Sequence, residues 1–292
     1  MQPAPITNPK LIRRLQLSEP EFERFACDLA GRIGRREFSA PQFERALAYP
    51  WDRPRESYLL SGGDVSVIVD TDRDDLLARA LTGMATDGSP VYPLLTFGSN
   101  GAPAILARKL ESLPEHEREV LVLAGRLNGY DVGFSAHFAI YGSLPATIIP
   151  SPGTGVRAAL LLVTAAQFEA LTWTEFSYTV VSLPGESFAA DLQIAGTDEL
   201  FAFVSRNGNL RVDGQDVAMA AIPATERFSP AIEQSEALSV AADAVLDGAG
   251  SEGLVRRVIE DYAWAVGDAR PRLCDLRNPY RPDDWDLAGL GD

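Results

Sequence analysis

Residues 92–183 alternate short apolar runs with Gly and Pro, at 92–97, 120–127, 132–141, 147–149, 156–163 and 178–183. Runs of this length, bounded by turn formers, are too short for buried helices and read as strands that must pair with one another. Residues 102–110 and 164–171 carry helical periodicity and fall between them, and further strands are expected at 200–204 and 210–212. The pattern predicts an α+β fold, a small mixed sheet or barrel with inserted helices.

The flanks have a different texture. Ser18, Pro20 and Glu21 make a helix start of capping-box spacing, and Phe22, Phe25, Ala26, Leu29 and Ile33 follow at helical period. On that face Cys27 is expected among apolar neighbours, and the basic run Arg32, Arg35, Arg36 reads as a solvated helix end. A second short helix is predicted after Ser39 through Leu47, and Tyr49-Pro50-Trp51 reads as turn or extended chain. Val65, Val67 and Val69 alternate as in a strand, and 72–84 reads as a helix. At the other end, 233–246 and 252–266 have helical period, and 269–292 reads as a surface arm. The expected organisation is a mostly helical extension over 1–88, a central unit over 89–225, and a C-terminal helical segment with tail over 226–292.

Composition narrows the function classes. Twenty-six basic against forty-one acidic side chains leave a net charge of −15 on 292 residues. Affinity built on phosphate neutralisation is therefore not expected, and nucleic acid is excluded as a partner. Residues 184–292 hold most of the excess, 9 basic against 20 acidic. No apolar run approaches the roughly 18–20 residues of a membrane span, and the first residues lack an apolar signal core, so a soluble cytoplasmic protein with no membrane partner is expected. Cys27, Cys274, His116 and His137 are too few and too scattered for a Cys/His metal site. Neither metal nor cofactor is expected.

The local feature with chemical content is Leu94-Leu-Thr-Phe97-Gly98-Ser99-Asn100-Gly-Ala-Pro103, a strand, a tight polar turn and then a helix. Gly98 allows close backbone approach, and Ser99 and Asn100 can cap the helix and leave its first N–H groups facing an anion. A second Gly-Ser turn, Tyr141-Gly-Ser-Leu144, is followed by Pro145 and no helix. His137 falls on a predicted strand between apolar residues, where an interior, hydrogen-bonded imidazole is the expected role.

Phe97-Gly-Ser-Asn100 after an apolar strand resembles the Tyr-Gly-Ser-Asn or Tyr-Gly-Ser-Leu loop of the gamma-glutamylcyclotransferase-like family; Tyr141-Gly-Ser-Leu144 spells that loop more literally, but Pro145 and Pro150 follow it instead of a helix, so the first turn is the preferred match. The resemblance continues in order through Leu144-Pro-Ala-Thr-Ile-Ile-Pro-Ser-Pro-Gly153, the run 156–163, and Thr174-Glu175-Phe-Ser-Tyr178. It covers about residues 92–183, and it implies a mixed β-barrel with inserted helices. It also implies Glu175 as general acid/base, with Phe97, Gly98, Ser99, Asn100 and Tyr178 around the substrate and Tyr141 as a further wall. Phe97 departs from the family's Tyr, so that phenol is missing from the loop. The implied reaction is amide-bond cleavage of a small gamma-glutamyl amine or peptide by cyclisation to 5-oxoproline, a transferase or lyase chemistry needing no cofactor. Two other readings are carried beside it: a binding or assembly protein on the same fold, and an amidohydrolase in which Glu175 activates water. The terminal extensions offer surfaces for a second copy or a protein partner.

Overall fold

The computed structural model describes residues 17–68, 91–192 and 198–279. The helix predicted over 72–84, Val69 and the tail beyond 279 lie outside the described residues. The chain runs α1 (Glu19–Ile33), α2 (Ala40–Leu47), β1 (Tyr58–Ser61), β2 (Asp64–Val67), β3 (Val91–Thr96), α3 (Pro103–Lys109), β4 (Val120–Phe134), β5 (Ala146–Thr164) and α4 (Ala165–Thr174). It continues with β6 (Tyr178–Pro184), β7 (Phe188–Ala190), β8 (Glu199–Ser205), β9 (Asn209–Val212), β10 (Gln215–Asp216), β11 (Ala218–Met219), β12 (Ala224–Thr225) and β13 (Ala231–Ile232). Helices α5 (Gln234–Val245), α6 (Gly250–Glu260), α7 (Tyr262–Trp264) and α8 (Arg270–Cys274) follow, and β14 (Arg277–Asn278) ends the described chain.

The fold is α+β, built on a large mixed sheet in the order β13-β11-β4-β5-β3-β8-β6. The β3–β8 and β11–β13 pairs are parallel and the other neighbours along this path antiparallel. β4 and β5 form a long hairpin. It pairs from Leu121↔Leu162 to Phe134↔Ala146, with a register shift between Asn128 and Tyr130. Gly129 there has φ +81, a conformation open to glycine. The closed barrel is corrected: among the described residues β6 and β13 end the ladder without meeting. The free edge of β4 is taken in turn by β1, β7 and β11, so the sheet spreads instead of rolling up.

Along β3 the side chains alternate between two apolar layers. Tyr92 and Leu94 pack with Leu106 of α3 and Phe168 and Leu171 of α4 on one face. Leu95 and Phe97 face a larger cluster that includes Phe22 and Ala26 of α1, Val255 of α6 and Tyr262 of α7. The first and last segments thus share one core with the centre. The first is helical only as far as Leu47, and β1 then joins the sheet opposite β4 (Tyr58↔Val122).

Several boundaries differ from the sequence pattern. The strand expected to reach residue 141 stops at Phe134, because Ser135 N–H turns to the Pro145 carbonyl and His137 N–H to Ser135 O. His137 therefore sits in a loop. The helix expected over 252–266 breaks at Asp261, whose carboxylate caps a new turn by accepting Trp264 N–H. The expected arm is partly structured: Leu273 is buried, and Arg277 pairs with Leu210 of β9. Cys27 is exposed, since α1 buries Phe22, Ala26 and Ala30 instead.

Candidate functional site

Two junctions on the same side of β3 bring the predicted site residues together. β3 ends in a 3-10 turn, Ser99–Gly101, in which Gly101 and Ala102 N–H donate to Gly98 and Ser99 carbonyls. Helix α3 then starts from Ala102. The predicted capping role of Ser99 and Asn100 is corrected: neither caps α3, and Asn100 turns its side chain sideways. At the second junction, Thr164 and Gln167 form a capping box at the start of α4, and Gln167 Nε2 anchors that turn on the carbonyls of Glu117 and Glu119. At the far end of α4, Glu175 N–H donates to Thr172 O and Glu175 O accepts Tyr178 N–H. That fixes the turn from which the Glu175 side chain projects.

Asn100 Nδ2 donates to Glu175 Oε1 at 3.2 Å, across 75 residues of sequence. Lys109, the last residue of α3, donates to Asn100 Oδ1 at 2.7 Å and forms an ion pair with the same Glu175 oxygen. Glu175 and Lys109 are 11% and 13% exposed in their side chains, so the pair is largely withdrawn from solvent. The three residues border a cavity of about 330 Å³, which Phe97, Gly98, Ser99, Tyr141 and Tyr178 also line. All of the site residues expected from the sequence thus face one cavity.

Further walls come from segments outside the region of family resemblance. Tyr49 accepts Ala146 N–H at 2.9 Å, and Tyr178 donates to Ala146 O at 2.9 Å, so both backbone polar groups of Ala146 are held by phenols. A Cβ at Gly98 would lie 2.8 Å from the Tyr49 hydroxyl, which explains why glycine occupies that position. The Tyr49 phenol therefore approaches the loop whose own aromatic residue, Phe97, has none. Trp51 packs edge-on against Tyr49 and Tyr141, at centroid distances of 5.2 and 4.8 Å. Arg36 donates to the Ile140 carbonyl and Tyr262 to the Phe138 carbonyl, pinning the loop that carries His137 and Tyr141. Arg36 is thus a fastening of the cavity wall, where a solvated helix end was expected.

The sequence gives no local sign of these walls. Tyr49-Pro50-Trp51 has the composition of a plain turn, and a lysine in a helix's last turn is ordinary. Only the proximity of Lys109 to Asn100 in the chain was available as a hint.

Burial sets the protonation of this site. It pushes the Tyr49 phenol up to about 12, aided by the negative charge of Glu175. Tyr141 and Tyr178 are raised well above the ordinary tyrosine range by the same two causes, with Tyr49 adding to both. All three are neutral donors near pH 7. His137, buried beside the cavity with Nδ1 2.5 Å from Ser135 Oγ, is pushed down to about 3, first by burial and then by the charge of Arg270. It is a neutral imidazole at working pH.

This imidazole has a consequence for stability. The unfolded chain takes up the proton near 6.5 and the folded state only near 3. The stability contributed by keeping His137 neutral is full above about pH 6.5 and is lost as pH falls toward 3, at about 1.4 kcal/mol per pH unit. Denaturant unfolding at stepped pH values is expected to show that slope, and His137→Gln to flatten it. An unchanged slope in the variant would remove His137 as its source.

Among the described residues no group of three or more His, Cys, Asp or Glu side chains is placed to hold a metal ion, and no helix is long and apolar enough to cross a membrane. In comparisons with known proteins, no family model matches the chain and no curated protein is significantly similar to it.

Proposed function

We propose that this protein is a gamma-glutamylcyclotransferase-like enzyme that cleaves a small gamma-glutamyl amide by cyclisation to 5-oxoproline. The reading includes the fold: β3, β4, β5, β6 and β8 with α3 and α4 form the family's core, in an arrangement whose ladder stays open. The observation that carries it is the meeting of Asn100 and Glu175, from the two motifs of the resemblance, at the edge of one cavity.

The chemistry follows from the groups present. The substrate's α-amine attacks its own side-chain carbonyl, forming the ring C–N bond while a Glu175 carboxylate oxygen takes the amine proton. Collapse of the tetrahedral intermediate breaks the amide C–N bond, and Glu175 returns the proton to the departing nitrogen, so free amine and 5-oxoproline leave with Glu175 regenerated. Such proton transfer contributes about 10²–10⁴ in rate. Asn100 holds the carboxylate in place. The backbone of residues 98–100 lines the space for the developing oxyanion, and Arg108 and Lys109, also at the cavity, complement the substrate's α-carboxylate.

The ion pair between Lys109 and Glu175 favours a second reading, a binding protein without turnover, because a base engaged by an ammonium must exchange that partner for substrate before it can act. Mass-spectrometric analysis of the protein incubated with gamma-glutamyl amines and peptides separates the readings. The cyclotransferase releases 5-oxoproline. Free glutamate would indicate the amidohydrolase. Thermal stabilisation by 5-oxoproline without any product would indicate the binding protein.

A further inference from the structure

Among the residues lining the cavity, Glu175, Asn100, Lys109 and Arg108 are charged or amide groups, and Tyr49, Trp51 and Tyr141 pack together as an aromatic wall. Resting on the cyclotransferase reading, we infer that this wall is the subsite for the leaving amine and that the substrates are gamma-glutamyl amides whose leaving amine carries a flat, uncharged aromatic ring.

Position supplies the first argument. The carboxylate that returns a proton to the leaving nitrogen must lie beside that nitrogen, so the leaving group extends from Glu175. Arg108 and Lys109 serve the α-carboxylate, which leaves the aromatic part of the lining for the amine. Tyr49 and Tyr141 line the same cavity as Glu175, their rings stacked at 6.2 Å, and Trp51 closes against both. A ring entering this group gains edge-to-face or offset contacts in addition to apolar burial.

Charge supplies the second. Aromatic walls also suit cationic amines, but the Arg45 guanidinium already lies 5.1 Å from the Trp51 ring centroid, and Lys109 and Arg108 line the same cavity. A positive charge on the leaving group would meet Lys109 and Arg108 in the cavity and find the Trp51 ring already engaged by Arg45. Size is the third: about 330 Å³ is at the small end of ligand sites, with room within it for a glutamyl group and one ring.

The wall is also rigid. Trp51 holds φ at +67, a conformation bulky residues rarely adopt, and its indole N–H donates to Arg45 O at 2.9 Å. The ring is positioned before any ligand arrives, as selection by shape requires.

The test compares 5-oxoproline release from gamma-glutamyl benzylamide, methylamide and the ε-amide of lysine by the full-length protein. The expected kcat/KM for the benzylamide exceeds the methylamide by at least about tenfold, with the lysine amide slower still. Trp51→Ala is expected to reduce the benzylamide advantage by about tenfold through KM, and Trp51→Phe to restore much of it. Methylamide or lysine amide turnover equal to that of the benzylamide in the unmodified protein would overturn the subsite while leaving the cyclotransferase intact. That comparison needs no folded variant. An equal loss on all amides in a folded Trp51→Ala would also overturn it. Absence of 5-oxoproline from every amide would instead overturn the reaction, and the subsite with it.

Discussion

Glu175→Gln is expected to lower kcat for 5-oxoproline release by about 10²–10⁴-fold, a loss of roughly 3–5 kcal/mol of transition-state stabilisation. The substitution keeps the shape of the side chain and an oxygen able to accept the Asn100 amide at the position now 3.2 Å away. It removes the carboxylate that would take the amine's proton and return it to the leaving nitrogen. Because Lys109 is only 13% exposed and loses its ionic partner, the variant also leaves a nearly buried ammonium with only neutral acceptors, Asn100 Oδ1 and the new amide oxygen, at this site. A drop in melting temperature is therefore expected beside the drop in kcat, and the two must be read separately. Rapid-quench turnover at a temperature where both proteins are folded does this. Glu175→Asp supplies the control, since it keeps a base but withdraws it by one methylene and should lie between the two. Full activity in folded Glu175→Gln would sink the assignment of this residue. Loss of activity equal in Gln and Asp, with binding of 5-oxoproline intact, points to geometry as demanding as charge.

How far the sequence revealed this arrangement depends on the range of the interactions. Local patterns gave α1 with its capping box, α2, the α4 helix, and the strands β6 and β8, where hydrophobic period and turn residues agree. They also gave the Phe97–Asn100 turn and Glu175, because those motifs are short and contiguous. The long hairpin was read as four separate runs: Pro150, Gly153 and Gly155 interrupt the pattern of β5, yet the pairing with β4 continues past them. Its continuity is a property of two strands together and is invisible in either. The aromatic wall was hidden for the same reason. Tyr49 meets Ala146 across 97 residues, and nothing in Tyr49-Pro50-Trp51 signals a distant partner. His137 shows a different failure: alternation placed it on a strand, but Ser135 and its neighbours satisfied their backbone groups elsewhere, and tertiary hydrogen bonding overrode the local pattern.

The largest effect on stability is expected at the far end of that hairpin, from Asp131→Ala. Asp131 is fully buried on β4 just past the bulge, and both of its oxygens are held by Arg227, at 2.8 and 2.9 Å. One of them also accepts Val132 N–H, and Arg227 donates in addition to the Ile222 carbonyl. This paired geometry satisfies the carboxylate and ties residues 222–227 to the bent part of the sheet. Removing the carboxylate strands a guanidinium that is 17% exposed and frees the loop at once. Breaking one partner of a buried pair costs about 3–5 kcal/mol, whereas replacing both with apolar groups is far milder. Denaturant unfolding is thus expected to show a loss of that size for Asp131→Ala, and Asp131→Leu combined with Arg227→Leu should recover a large part of it. Because β4 leads directly into Ser135 and His137, the single variant should also loosen the cavity wall, seen as faster exchange of the amide protons of residues 132–137. A double variant no more stable than Asp131→Ala would assign the loss to the Val132 N–H or Ile222 carbonyl hydrogen bonds, which the double variant does not restore. Recovery would establish the unpaired Arg227 as its source, and with it the role of this pair in holding the hairpin against the loop beneath.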